Sequence, residues 1–231
     1  MLRAFKDLPK TMQNEQVAKY YDHIKEQKTS LQVKRGLDIF LSILLMVILA
    51  PVMLIVALLI KVDSKGPVIY SQKRVTQYGR LYSIYKFRTM TEGADKKGLL
   101  VTGKEDVRIT KIGATLRRYR IDEIPQLFNV ITGDMTFVGT RPEVPKYVES
   151  YTDEMKATLL LPAGITSDAS IKYKDETEVI EIYQGKGMET EDIYTNVIIP
   201  GKMQYNLKYL KEFSFFKDIK VLVETIFAVL G

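Results

Sequence analysis

The chain has 231 residues with no cysteine, no tryptophan and one histidine, and its 34 Lys+Arg against 28 Asp+Glu leave a formal charge of +6. These counts exclude a disulfide scaffold, a thiolate nucleophile and Cys-ligated zinc, and a Ser-His-Asp triad or an HExxH zinc site would have to rest on His23 alone. Catalysis, if present, falls to carboxylates, Lys, Arg and Tyr with an oxygen-ligated cation such as Mg²⁺, and the basic excess admits nucleic acid, an anionic membrane surface or a phosphate-bearing substrate as partner.

Residues 1–33 carry Leu2, Phe5, Leu8, Met12, Val17, Tyr20 and Ile24 at roughly helical spacing. The pattern predicts an amphipathic N-terminal extension lying as a surface or interfacial helix, with His23 exposed on it. Ile39 to Ile60 then reads IFLSILLMVILAPVMLIVALLI, uncharged and interrupted only by Ser42 and Pro51, which reaches the roughly 20 apolar residues needed to cross a bilayer. The run starts too far along the chain for a signal peptide and ends at Lys61 without a small-residue cleavage site. Basic residues flank both ends: Lys25, Lys28, Lys34 and Arg35 before it, Lys61, Lys65, Lys73 and Arg74 after it. The positive-inside rule would hold both flanks in the cytoplasm. A re-entrant helix-break-helix over 34–62, turning at Pro51, meets that demand; a single-pass helix with a tolerated proline kink is the alternative.

After the turn signal Asp63-Ser64-Lys65-Gly66-Pro67, the segments Val68–Gln72 and Leu81–Tyr85 read as a β-hairpin, with Tyr70, Tyr78, Tyr82 and Tyr85 as packing residues. Glu92–Glu105 reads as a loop or short helix. Leu116, Tyr119, Glu123 and Leu127 share one helical stripe, which Pro125 interrupts. A helix is predicted between Thr190 and Lys211. Phe213 to Leu230 forms an amphipathic helix, either packed on the core or lying at a membrane interface, so that the chain divides into a body over 63–210 and a C-terminal helix over 211–231.

No Walker A, GxGxxG or D-x-D signature is present. Instead Lys86-Phe87-Arg88, Arg117-Arg118-x-Arg120 and Arg141 set cations around the carboxylate pair Asp122-Glu123. Neighbours on a helix point about 100° apart, so the pair does not suit a glycosidase acid/base arrangement. The two can divide labour, one attacking an electrophile while the other holds Mg²⁺ against phosphate oxygens that the arginines also bind. The plain alternative is an Arg118–Asp122 helical salt bridge worth about 0.3–0.5 kcal/mol.

The strings GPVIYSQKRVTQYGRLYSIYKFRTM (Gly66–Met90) and DVRITKIGATLRRYRIDEIPQLFNVITGDMTFVGTRPEVP (Asp106–Pro145), followed by PAGIT and QYNLKYL, closely resemble the bacterial sugar transferase family, the monotopic phosphoglycosyl transferases. The resemblance runs from about Lys34 to the C-terminus. It implies an α/β, mostly α, membrane-associated monotopic fold with a re-entrant helix, a small β-hairpin and interfacial amphipathic helices, at the cytoplasmic face of the bacterial inner membrane. It implies transfer of a sugar 1-phosphate from a UDP-sugar to undecaprenyl phosphate, releasing UMP and starting a lipid-linked glycan such as a capsule or exopolysaccharide, with no nucleic acid involved and a homodimer left open. By motif position, Asp122 corresponds to the nucleophile that becomes a phosphosugar ester, Glu123 to the Mg²⁺ ligand, and Arg117, Arg141 and Lys86 to the phosphate site; Arg88, in the same KFRTM segment, joins it. Thr140, Thr76, Ala50 and Ala163 depart from the family pattern and leave those positions intact. The chain also lacks the multi-span N-terminal region of larger relatives, so the resemblance implies a minimal catalytic form. A membrane-anchored UDP-sugar hydrolase and a non-enzymatic basic membrane adaptor are the alternatives.

Overall fold

The N-terminal stretch folds inward. In the computed structural model, which describes residues 2–94, 106–173 and 176–230, Asn14 accepts the Val17 backbone N–H and starts helix α1, Glu15–Glu26. Val17, Tyr20, Tyr21 and Ile24 of α1 join Leu8 and Met12 in a buried apolar cluster with Leu160, Leu210 and Phe213. The predicted surface or interfacial helix is therefore a core element: its sparse stripe is completed by apolar residues from the far end of the chain. His23, predicted to be exposed, is half-buried, with Nε2 3.2 Å from the Phe213 carbonyl oxygen.

Helix α2 runs for 36 residues, Lys28–Asp63, and its backbone stays helical through Pro51. The interruption predicted there does not divide it into two elements. Among the described residues α2 is the one helix long and apolar enough to cross a membrane; its most apolar window has a mean hydropathy of 3.3 and is only 11% buried. Phe40, Val47, Leu54 and Leu58 are exposed, so no described residue of the chain covers this apolar surface. Both ends of α2 are nevertheless tied to the rest of the chain. Near its start, Arg35 donates to the Val130 and Ile131 carbonyls at 2.6 and 2.8 Å, and Asp38 accepts from the Thr136 hydroxyl at 2.6 Å. Near its end, Val56 and Ile60 pack with Phe87 and Leu116, and Asp63 accepts the Ile112 N–H at 3.1 Å.

The predicted hairpin forms and extends further than expected, as β1 (Ile69–Val75) antiparallel to β2 (Leu81–Phe87), with Ile69 opposite Phe87. Of the predicted loop Glu92–Glu105, residues 95–105 lie outside the described residues. The stripe Leu116–Leu127 is not one helix. Helix α3 (Lys111–Arg118) ends, Arg120 turns left-handed at φ 54°, a single 3-10 turn covers Ile121–Glu123, and α4 (Gln126–Thr132) follows Pro125. Strand β3 (Met135–Val138) is followed by the single turn α5 (Pro145–Val148) and runs parallel to β4 (Ala163–Thr166). The chain just past β3 approaches β4 so closely that a Cβ at Gly164 would lie 2.2 Å from the Gly139 carbonyl oxygen.

Four helices complete the body: α6 (Asp168–Lys172), α7 (Glu176–Gln184), α8 (Thr190–Ile193) and α9 (Ile199–Lys211). A π-turn at Tyr194–Ile198 joins the last two into the run predicted from Thr190 to Lys211, its wider turn lying just ahead of Pro200. The closing helix α10, Phe215–Leu230, docks through buried Asp218 and Val221 while Phe216, Ile226 and Phe227 face outward. Asp218 reaches Lys34 of α2 at 2.5 Å and accepts from the Tyr209 hydroxyl at 2.6 Å, fastening α10 to the start of the apolar helix. The fold is thus mostly helical with two small sheets.

Candidate active site

Strand alternation separates the two ends of the Lys86-Phe87 step. Phe87 enters the apolar cluster with Val56, Ile60 and Leu116, and Lys86 turns to the other face, where it lines a cavity of about 790 Å³. Thr110 caps α3 by accepting the Gly113 N–H, and α3 then presses on the strand exit so tightly that a Cβ at Gly113 would lie 2.1 Å from the Thr89 carbonyl oxygen. That approach puts Arg117 within reach of Thr89, and its Nε donates to Thr89 Oγ1 at 2.8 Å.

The carboxylate pair owes its direction to Arg120. A non-glycine residue in the left-handed region costs roughly 1–3 kcal/mol, and such strain concentrates at functional sites. Here it ends α3 and swings the next turn so that Ile121 and Ile124 pack with the apolar cluster, while Asp122 and Glu123 line the cavity. The alternative i,i+4 pair between Arg118 and Asp122 does not form, because the helix stops at Arg118.

The two carboxylates have opposite environments. Glu123 is clamped: Oε1 accepts from Lys86 Nζ at 2.7 Å and from Arg141 Nη2, and Oε2 accepts from Arg141 Nη1 at 3.3 Å. Burial pushes its pKa up, but Arg141 and Lys86 together outweigh burial and hold it well below the usual carboxylate range. Asp122 is 7% exposed and makes no hydrogen bond or ion pair to any described residue. Burial raises its pKa above 3.8, with Glu123 adding to the rise and Lys86, Arg117 and Arg141 opposing it. Burial also lowers Lys86 and Arg117, whereas the Glu123 charge raises Arg141.

Arg88 lines the same cavity but is directed elsewhere. Its Nη2 donates to the Ser64 carbonyl and hydroxyl at 2.7 and 2.9 Å, capping the end of α2, and its Nε and Nη1 are buried without partners. The structure thus brings Lys86, Glu123 and Arg141 into one contact, holds Asp122 and Arg117 beside them, and sets Arg88 at the helix end.

The sequence profile of the family described as "Bacterial sugar transferase" matches residues 29–231. The chain belongs to the bacterial sugar transferase family. Among relatives, it is 32% identical over 201 residues to a UDP-N-acetylgalactosamine-undecaprenyl-phosphate N-acetylgalactosaminephosphotransferase of Aeromonas hydrophila, covering 86% of this chain and 44% of the relative. It is 33% identical over 199 residues to a UDP-glucose:undecaprenyl-phosphate glucose-1-phosphate transferase of Escherichia coli, covering 84% and 39%. It is 35% identical over 211 residues to a galactosyl transferase of Streptococcus agalactiae, covering 87% and 42%. The matched region spans less than half the length of each of these three family members.

Within this bacterial sugar transferase, no three His, Cys, Asp or Glu among the described residues form a ready-made metal cage. Mg²⁺ rarely needs one: it binds through one or two carboxylates and completes its shell with phosphate oxygens and water. The adjacent Asp122 and Glu123 on a cation-lined cavity fit that donor set. Sequence reasoning did not assign Thr89 as the partner of Arg117, although it lies in the KFRTM segment. It also passed over Tyr173, Glu176 and Lys202, which line a second cavity of about 260 Å³ on the Arg141 side; nothing in the local sequence marks them.

Proposed function

We propose that this chain transfers a sugar 1-phosphate from a UDP-sugar to undecaprenyl phosphate, with Asp122 as nucleophile, at the cytoplasmic face of the bacterial inner membrane. The observation that carries the proposal is the contrast within the pair: Asp122 is a buried carboxylate with no partner among the described residues, next to a Glu123 that engages two of the surrounding cations. An Asp122 oxygen attacks the β-phosphorus of the UDP-sugar, the bond from that phosphorus to the bridging oxygen breaks, and UMP leaves with the bond's electrons. An oxygen of undecaprenyl phosphate then attacks the same phosphorus, the acyl-phosphate P–O bond to Asp122 breaks, and the carboxylate leaves with the bond's electrons and is restored. Lys86, Arg117 and Arg141 bind and orient the phosphates and offset the charge that develops on them. Mg²⁺ held by Glu123, with Asp122 adjacent, would supply charge neutralisation at the phosphate oxygens. The functions named for the relatives support the same donor and acceptor classes.

The membrane helix is read as re-entrant. A straight helix would place Arg35 and Ile60 about 37 Å apart. Yet Arg35 binds the carbonyl of Val130, which shares a buried cluster with Ile84 of β2, while Ile60 packs with Phe87 of the same strand. Ile84 and Phe87 are only about 10 Å apart along a strand. This supports a helix that bends back around Pro51 and returns on one side of the membrane, keeping the site at headgroup level where the lipid phosphate lies.

Intact mass spectrometry of the full chain mixed with a UDP-sugar and Mg²⁺ tests the nucleophile. A phosphosugar adduct is expected on the wild type and none on Asp122→Asn; an adduct that survives the substitution removes Asp122 from the role. UMP release that does not depend on undecaprenyl phosphate identifies a hydrolase instead, and no UMP release with steeply salt-dependent lipid binding identifies an adaptor.

A further inference from the structure

Two cavities meet at the site and differ in chemistry. The larger, about 790 Å³, is walled by Arg108, Arg117, Arg118 and Arg120 and contains Asp122. The smaller, about 260 Å³, shares Lys86 and Arg120 with it and then continues past Arg141 into a wall of mixed sign and many oxygens: Glu143, Ser170, Tyr173 and Glu176 with Lys202. Sites for drug-sized ligands run from about 300 to 1,000 Å³, so the larger has room for a nucleoside diphosphate and the smaller for little more than one sugar ring. Carboxylates repel phosphate but accept hydrogen bonds from hydroxyls.

The polar groups of the smaller cavity are held in place from behind. Lys202 pairs with Glu176 at 2.7 Å, and Tyr194 donates to Glu143 at 2.9 Å. Tyr173 is fixed differently. Its ring lies so close to α9 that a Cβ at Gly201 would meet the ring and its hydroxyl oxygen at 2.9 Å, and a glycine inside a helix costs about 1 kcal/mol relative to alanine. The ring is thus seated by a backbone built to admit it, while its hydroxyl makes no hydrogen bond to any described residue.

We propose that the smaller cavity is the sugar subsite, in which the Tyr173 hydroxyl and the Glu176–Lys202 pair read the hydroxyl or acylamino groups of the transferred sugar, and that the larger cavity takes the uridine phosphate and afterwards the lipid phosphate. This rests on the transfer reading above. With the β-phosphorus at Asp122, the sugar and the leaving UMP depart from it in different directions, and the two cavities diverge from the wall formed by Lys86 and Arg120 in the same way. The larger cavity also reaches Pro67 and Ile69, just beyond the end of α2, where a lipid-borne phosphate would enter.

The test is a binding titration of the full chain carrying Asp122→Asn, which prevents turnover, with UDP and with UDP-glucose, UDP-galactose, UDP-N-acetylglucosamine and UDP-N-acetylgalactosamine. At least one sugar nucleotide should bind more tightly than UDP. Adding Tyr173→Phe, which keeps the ring, should weaken that sugar nucleotide by about tenfold to a hundredfold while UDP stays within about twofold. Gly201→Ala, which displaces the ring, should do the same. Equal weakening of UDP and UDP-sugars, or no change in either, overturns the subsite while leaving the transfer reading intact. Failure to bind UDP or any UDP-sugar, with no UMP release by the wild type, overturns both.

Discussion

Asp122→Asn and Glu123→Gln change adjacent residues by the same isosteric step, and the structure predicts stability effects of opposite sign. Glu123 closes a half-buried triad with Lys86 and Arg141; at 2.7 Å and an effective dielectric near 20 the Lys86 attraction alone is about 6 kcal/mol before desolvation is subtracted. Neutralising Glu123 leaves Lys86 and Arg141 facing each other without their nearest counter-charge, and removing one member of a buried pair costs about 3–5 kcal/mol. In a domain of this size each kcal/mol moves Tm by roughly 2–4 °C, so Glu123→Gln should lower Tm by about 6–20 °C. Asp122 is buried with no hydrogen bond to a described residue, so its amide should stabilise on the order of 1 kcal/mol and raise Tm by about 2–4 °C while abolishing turnover. The pH dependence separates them further. Asp122 has its folded pKa raised, so the folded state keeps that proton longer than the unfolded state, and the wild type loses stability relative to Asp122→Asn as pH rises from 3.8 through the raised value. Glu123 has its folded pKa depressed, so its stabilisation is present above 4.5 and is lost as pH falls below it. Differential scanning calorimetry of the detergent-solubilised protein across acid and neutral pH reads both. A Tm that falls in Asp122→Asn, or one that is unchanged in Glu123→Gln, refutes this account of the pair.

Lys34→Met should cost about 3–5 kcal/mol by leaving Asp218 buried without its cation, and Lys34→Met combined with Asp218→Leu should recover most of that loss in denaturant titrations. Tyr20→Ala, which empties a fully buried site in the N-terminal core, should lower stability by about 3–5 kcal/mol in the same assay, whereas a surface helix would lose almost nothing. Because the chain has no cysteine, Gly36→Cys and Lys65→Cys each introduce a single thiol at an exposed position on either side of the apolar run. Both should label from the cytoplasmic side in inverted vesicles; labelling from opposite sides would mean that α2 crosses the membrane.

What the sequence disclosed was whatever depends on neighbours in the chain. The apolar run, the alternating hairpin strands and the clustering of Lys86, Arg117, Asp122 and Glu123 are local patterns, and each has its counterpart in the fold. The N-terminal stripe was misjudged because the faces that bury Val17, Tyr20 and Ile24 come from Leu160, Leu210 and Phe213, which no window around the helix contains. Pro125 announces a break between α3 and α4, but the chain leaves the helix earlier, at Arg120, whose left-handed conformation its residue type does not announce. The smaller cavity joins the motif residues Lys86, Arg141 and Pro142 to Tyr173, Glu176 and Lys202 from separate helical segments, and those last three carry no common motif. Two of the departures from the family pattern meet in space: Thr76 Oγ1 donates to the Asp134 carbonyl at 2.6 Å and accepts the Ala163 N–H at 3.1 Å. Read singly they were unconnected; together they join the hairpin turn to β4 through one hydroxyl.

A nucleophilic carboxylate surrounded by cations faces a physical conflict, because any one of those cations could neutralise it by forming a salt bridge. The site resolves this by giving the cations other partners. Lys86 and Arg141 are taken by Glu123, Arg117 points its Nε at Thr89, and Arg88 is drawn to Ser64. Asp122 is left unpaired among the described residues, close enough for Lys86, Arg117 and Arg141 to affect its charge but bonded to none of them. On the proposed reaction this is the state needed between turnovers: the carboxylate stays free to attack, and the cations are already placed where an arriving phosphate would meet them. Glu123 then serves even before any Mg²⁺ binds, as the anion that occupies two of the cations until a phosphate arrives. The same reasoning makes Thr89→Val informative, since it frees the Arg117 Nε to seek Asp122. The expected result is slower formation of the phosphosugar adduct with little change in UDP affinity, and restoration by Thr89→Ser. Equal loss in both variants would show that the hydroxyl has no part in directing Arg117.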